Sequence, residues 1–169
     1  MAAEGLRSSR MAAAEPASHP VQGLHHVGMS VADLDEALAF WRAFLGIEPR
    51  WRTVLDAPYL GRHIAYPGIA IDAAFLDLPG GLVLELLDYR FPGKAPNPEA
   101  TANPGNVHIC VDVDDADAAW ERAVAAGARP LVPEGPIEVE AGPNRGARAS
   151  YLRIHDGISL ELFQRPPTS

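Results

Sequence analysis

Residues 23–31 alternate apolar and polar as a half-buried strand does. The spacing then lengthens to a helical period through Leu34, Ala37, Leu38, Trp41, Phe44 and Leu45. Asp33 stands at the N-cap position with Glu36 three residues on, a capping box, and Gly46 supplies the C-terminal stop. Short apolar runs follow at 51–55, 69–78 and 82–87. A Gly/Pro-punctuated loop fills 57–68, and Pro79-Gly80-Gly81 makes a turn. The predicted order is β-α-β-β-β. Residues 91–105 hold four prolines and two glycines and read as a linker. The same order then returns. A strand runs from 106 to 113, and Asp114 or Asp115 caps a helix carrying Ala116, Ala119, Trp120, Ala123 and Val124, stopped by Gly127. Strands are predicted at 129–132, 147–154 and 158–163, with a turn at His155-Asp156-Gly157.

The halves also match residue by residue. With His26 laid on His108, Asp33 falls on Asp115, Asp35 on Asp117 and Ala37 on Ala119. Both end alike, in Gly81-Leu-Val-Leu-Glu85-Leu-Leu and Gly157-Ile-Ser-Leu-Glu161-Leu-Phe. One βαβββ unit leaves a sheet edge and a face uncovered, and pairing two units buries both. The expectation is an α+β fold, a single domain over 21–165, built from modules 21–90 and 106–165 joined by linker 91–105. Residues 1–20, rich in Ala, Ser, Glu and Pro without periodicity, read as a disordered tail.

Composition narrows the function. A net charge of -8 argues against nucleic acid or an anionic membrane as partner, because both need a basic face. The single cysteine, Cys110, excludes an intramolecular disulfide and fits a reducing compartment. No apolar run approaches the ~18 residues of a membrane span, and residues 1–20 lack the apolar core of a secretory signal. The expectation is a cytoplasmic protein acting on a small molecule.

Each half carries one His and one Glu at matching places: His26 and Glu85, then His108 and Glu161. Each is embedded in an apolar predicted strand. A carboxylate buried there without a partner costs several kcal/mol, on the order of the penalty for any unpaired buried ion. Two such acids at repeat-related positions call for a shared cation. Imidazole nitrogen with carboxylate oxygen suits Zn, Ni, Co, Mn or Fe. A lone His on such a strand is more often a hydrogen-bonded structural residue, and a lone Glu an edge residue facing water. The internal repeat is what favours a metal site. His25 is read as packing or surface on the opposite face from His26, His155 as solvated in its turn, and Cys110 as a small buried apolar residue.

On these residues the chain resembles the vicinal oxygen chelate superfamily. That group includes glyoxalase I, methylmalonyl-CoA epimerase, type I extradiol dioxygenases and bleomycin-resistance proteins. The resemblance rests on the His-Val-x-x-x-Val-x-Asp-Leu-Asp start at His26, the His-x-x-x-x-Val-Asp-Asp start at His108, and the Gly-x-x-x-Glu-Leu endings at Glu85 and Glu161. It covers roughly residues 21–165. It implies a curved mixed sheet around a U-shaped cavity, a divalent ion held by His26, Glu85, His108 and Glu161, and a homodimer. It also implies proton transfer beside a metal-chelated carbonyl, with Glu85 and Glu161 as the catalytic acids. The ligand set matches glyoxalase I and the related isomerases and epimerases. The scatter of Arg50, Arg52, Arg62, Arg145 and Arg148 leans the reading to an epimerase or isomerase of a small hydroxy-ketone, a polyol or cyclitol ketone among them, or of an acyl thioester. The alternatives are a glyoxalase I-type lyase, an Fe(II) extradiol dioxygenase and a non-catalytic drug- or metabolite-binding protein. Two Gly/Pro-rich loops offer substrate contacts, through Tyr59, Arg62 and His63 in one and Arg145 and Arg148 at the other.

Overall fold

Asp33 caps the first helix as its position predicts, Oδ1 accepting the backbone N–H of Glu36 at 3.0 Å. The computed structural model describes residue 21, residues 23–95 and residues 102–167, so the expected tail at 1–20 lies outside the described residues. The first module runs β1 (Val27–Ser30), α1 (Leu34–Leu45), β2 (Trp51–Leu55), α2 (Pro58–His63), β3 (Ile71–Asp77) and β4 (Val83–Tyr89). The second runs β5 (His108–Asp112), α3 (Ala116–Ala125), β6 (Arg129–Pro130), β7 (Ile137–Glu138), β8 (Arg148–Arg153) and β9 (Ser159–Gln164).

The sequence repeat is a structural repeat. The first sheet has the order β1-β4-β3-β2 and the second β5-β9-β8-β6, with β7 also on β8. In each, the opening strand lies parallel to the closing one, and the other pairs are antiparallel. The fold is α+β with two mixed sheets and no closed barrel. Leu34, Ala37, Leu38, Trp41 and Phe44 form the buried stripe of α1, and Gly46 ends that helix in the left-handed conformation (φ 71°). Asp115 rather than Asp114 caps α3, accepting the N–H groups of Asp117 and Ala118 at 3.0 Å.

Two elements differ from the expectation. Residues 58–63 form α2 instead of loop. Pro58 opens it where its missing N–H costs nothing, and Leu60 packs on Ile69, Ile71 and Ala73. The strand expected at 129–132 splits into β6 and β7, two short pieces sharing the sheet edge that β2 holds alone. Pro130, Pro133 and Pro136 each remove a donor that a continuous strand would need.

One core serves both modules. Leu84 and Leu86 of β4 join Leu152, Leu160 and Leu162 of β8 and β9, all fully buried, with Trp41 and Phe44 of α1. The modules meet through α1 against α3 and against the turn His155–Gly157. Arg122 donates from Nε to the Phe44 carbonyl, and the Ala32 N–H donates to Asp156 Oδ2 at 3.0 Å. Each sheet therefore turns its helix-covered side toward the shared core; among the described residues the other side is open, apart from α2 over the Ile71 and Tyr89 end of the first sheet.

Candidate metal centre

Alternation along the strands decides what stands on the free sides. Leu84 and Leu86 enter the core, so Glu85 between them points the other way; Leu160 and Leu162 do the same for Glu161. Register then places Gly28 and Phe75 beside Glu85, and Cys110 and Tyr151 beside Glu161.

On each free side the expected partners meet. His26 Nε2 lies 3.0 Å from Glu85 Oε2, and His108 Nε2 lies 3.0 Å from Glu161 Oε2. The Glu side chains are only 15% and 16% exposed. Each imidazole stands edge-on to an aromatic ring, His26 to Phe75 at 5.6 Å and His108 to Tyr151 at 5.3 Å between centroids. The four side chains do not gather into one cluster. Among the described residues, no group of three or more His, Cys, Asp or Glu is placed to hold an ion. Each module presents two donors, half of the four-ligand set.

The pairs differ in their surroundings. The Tyr151 hydroxyl donates to Glu161 Oε2 at 2.9 Å. Burial first, then this bond to a carboxylate, pushes the phenol up to about 12. The Cys110 thiol, paired in register with Glu161, is pushed up to about 11, by desolvation first and the Glu161 charge second. Cys110 is an exposed residue on the free side, not the buried one expected. Tyr89 shares the side of Glu85, and its phenol is raised by burial first and by the Glu85 charge second.

Sequence reasoning missed His25. Its Nδ1 lies 2.7 Å from His26 Nδ1, so one ring donates and the other accepts. Strand alternation puts His25 on the far side, but β1 begins only at Val27, and before it the backbone has no reason to alternate. With Nδ1 of His26 engaged, Nε2 is the nitrogen left to face Glu85, the arrangement usual for a metal-ligating imidazole. His155 is also corrected: its side chain is 3% exposed against Phe40 and Trp41, not solvated.

The candidate substrate contacts are dispersed. Tyr59, Arg62 and His63 are exposed on α2. That helix covers the Ile71 and Tyr89 end of the sheet face bearing Glu85. Arg145 is exposed in the turn that closes through its N–H to the Gly142 carbonyl. Arg148 lies on the helix side of β8, bound to Asp117 and to the Pro136 carbonyl, and does not join the His108–Glu161 face.

The sequence profile of the Glyoxalase/Bleomycin resistance protein/Dioxygenase superfamily matches residues 23–162. The chain belongs to that superfamily. Its relatives include a 2-epi-5-epi-valiolone epimerase of an Actinomyces species, 32% identical over 147 residues, which are 85% of this chain and 79% of that protein. A glyoxalase family protein from Bacillus cereus superposes with a TM-score of 0.74 at 21% identity, covering 89% of this chain and 99% of that one. The fosfomycin resistance protein FosX of Listeria monocytogenes, solved with Mn(II) and sulfate, gives a TM-score of 0.56 at 20% identity over 88% and 94%. The vicinal oxygen chelate resemblance read from the His and Glu motifs therefore stands for this superfamily member.

The donor chemistry of the superfamily fold's site fits a divalent ion in this chain. Two imidazole nitrogens and two carboxylate oxygens, each Glu largely withdrawn from water beside its imidazole, match borderline divalent metals. His26, Glu85, His108 and Glu161 are the residues that would hold it.

Proposed function

We propose that the protein is a divalent-metal-dependent epimerase of a small polyhydroxylated ketone, with its active sites completed between two copies of the chain. The observation that carries this is the pair of matched His–Glu contacts at 3.0 Å, on sheet sides that the chain's own core leaves free. In a homodimer, His26 and Glu85 of one protomer meet His108 and Glu161 of the partner subunit, and two-fold symmetry makes two identical sites. Trp51 and Ile137, large apolar residues on these same sides, are 39% and 60% exposed and supply apolar area for such an interface. The relationship to a 2-epi-5-epi-valiolone epimerase supports both the reaction type and a hydroxylated ketone as substrate.

The bound ion supplies Lewis-acid stabilisation of negative charge on the carbonyl oxygen, an effect of several kcal/mol in order of magnitude. The protein's own groups do the rest. His26 and His108 hold the ion, and His25 fixes which nitrogen of His26 faces it. A carboxylate must take the proton from the carbon beside the carbonyl, and Glu85 and Glu161 are the two acids present to do so. Return of a proton to the opposite face of that carbon inverts it.

The test is solvent exchange. Purified protein supplied with Mn(II), Co(II), Ni(II) or Zn(II) is incubated in heavy water with a panel of hydroxy-ketones that includes 2-epi-5-epi-valiolone. Deuterium should enter beside the carbonyl, and a chelator should abolish the exchange. Metal-free protein that binds a panel member without exchange, and is indifferent to chelators, would establish the binding-protein alternative instead.

A further inference from the structure

Among the places where the two half-sites differ are both positions paired in register with the glutamate. Where the first module has Gly28 opposite Glu85, the second has Cys110 opposite Glu161. Where the first has Phe75 opposite Glu85, the second has Tyr151 opposite Glu161. The second change puts a hydrogen-bond donor on Glu161, the Tyr151 hydroxyl at 2.9 Å from Oε2, and the first sets the Cys110 side chain beside that acid where the other module has glycine. Among the described residues, Glu85 has His26 at 3.0 Å and accepts no hydroxyl hydrogen bond. Gly28 does not adopt a positive φ, so the backbone does not demand glycine there. A Cβ at that position would lie 3.7 Å from Glu85 Oε2, an ordinary contact, so the small residue leaves free space beside that carboxylate.

We infer that the two glutamates divide the labour: Glu161, tethered by Tyr151 and flanked by Cys110, stays fixed as the anchoring ligand, while Glu85 is the acid that moves and takes the proton. The inference rests on the metal-dependent epimerase reading and assigns its parts. In the step, the C–H bond beside the carbonyl breaks, its electron pair passes to the carbonyl oxygen, and the proton arrives on a Glu85 oxygen. A solvent proton reaches the opposite face of the carbon as the electron pair returns, and Glu85 releases its proton to water. Tyr151 touches neither the reacting carbon nor its proton; it is a positioning residue acting through Glu161.

The experiment measures Co(II) affinity and absorption spectrum beside solvent exchange, on the full-length protein. Glu161→Gln and Tyr151→Phe should weaken Co(II) binding by about 10- to 100-fold, the range seen when a ligand loses its supporting bond, with exchange recovering in Tyr151→Phe at saturating metal. Glu85→Gln should keep Co(II) affinity within a few-fold and lose exchange at any metal concentration, roughly the 10²–10⁴-fold contribution of a positioned base. Phe75→Tyr, which places a hydroxyl opposite Glu85, should slow exchange at saturating Co(II) without weakening binding. Equal loss of Co(II) affinity in Glu85→Gln and Glu161→Gln, or a Tyr151→Phe protein that binds Co(II) as the wild type does, would overturn the division of labour and leave the epimerase reading intact. Failure of the wild type to bind Co(II) at all would remove both.

Discussion

Mixing two inactive variants should restore activity, and the amount recovered follows from the way the donors are split. His26→Ala destroys the first half-site of every chain, and His108→Ala the second. In a homodimer of either variant, both sites are built with one broken half, so each variant alone should be near background. In a mixed dimer the two broken halves fall in the same site. The other site combines the intact His26–Glu85 pair of one chain with the intact His108–Glu161 pair of the other. Random exchange of equal amounts makes about half the dimers mixed, each with one of two sites intact, so about one quarter of wild-type exchange activity returns. Co-expression of differently tagged variants, followed by tandem purification of the mixed dimer, should raise this to about half. Deuterium entry beside the ketone carbonyl is the assay. If the four ligands instead met within a chain, every chain would carry one broken site, and mixing would recover nothing. A mixed dimer no more active than its parents would therefore refute the shared-site reasoning.

Two further outcomes follow from the fold. Burial against Phe40 and Trp41 lowers the pKa of His155, so the folded state resists its protonation while the unfolded chain does not. Stability is unaffected well above the ordinary imidazole value near 6.5 and declines as pH falls through and below it. Urea midpoints measured from about pH 8 to 5 should fall more steeply for wild type than for His155→Phe; parallel slopes would contradict this assignment. Gly61→Ala places a Cβ 2.8 Å from the Tyr66 carbonyl oxygen and 2.9 Å from Pro67 Cα, both backbone, and should cost about 1–3 kcal/mol in chemical denaturation. An unchanged midpoint would show that the α2 turn gives way easily.

Much of this architecture was legible in the sequence because the repeat wrote it twice. The apolar stripe of α1, the caps at Asp33 and Asp115 and the apolar strands around Glu85 and Glu161 depend on local spacing, and local spacing is what a sequence displays. The same alternation turns Glu85 and Glu161 away from the core and sets His108 beside Glu161, while His26 meets Glu85 from just ahead of β1. What it did not display depends on tertiary placement. The short α2 forms because Leu60 finds Ile69 and Ile71 beneath it, against a composition that reads as loop. His155 is buried because α1 covers its turn. Cys110 is exposed because, among the described residues, no element packs over that side of the second sheet. The separation of the two His–Glu pairs is also tertiary: helix packing, not the strand pattern, sends the two free sides apart. The Tyr151 bond to Glu161, and Cys110 beside it, could have been anticipated by asking where the two repeats differ beside their shared acids, since Gly28 aligns with Cys110 in the same register that pairs His26 with His108.

The most direct measurement is a crystal structure of the Mn(II)-loaded protein, with anomalous scattering to locate the ion. The account predicts two ions per dimer, each ligated by His26 and Glu85 of one protomer and by His108 and Glu161 of the partner subunit. An ion held by all four ligands of a single chain would contradict the shared site, and an ion bound away from both His–Glu pairs would contradict the assignment of the site itself.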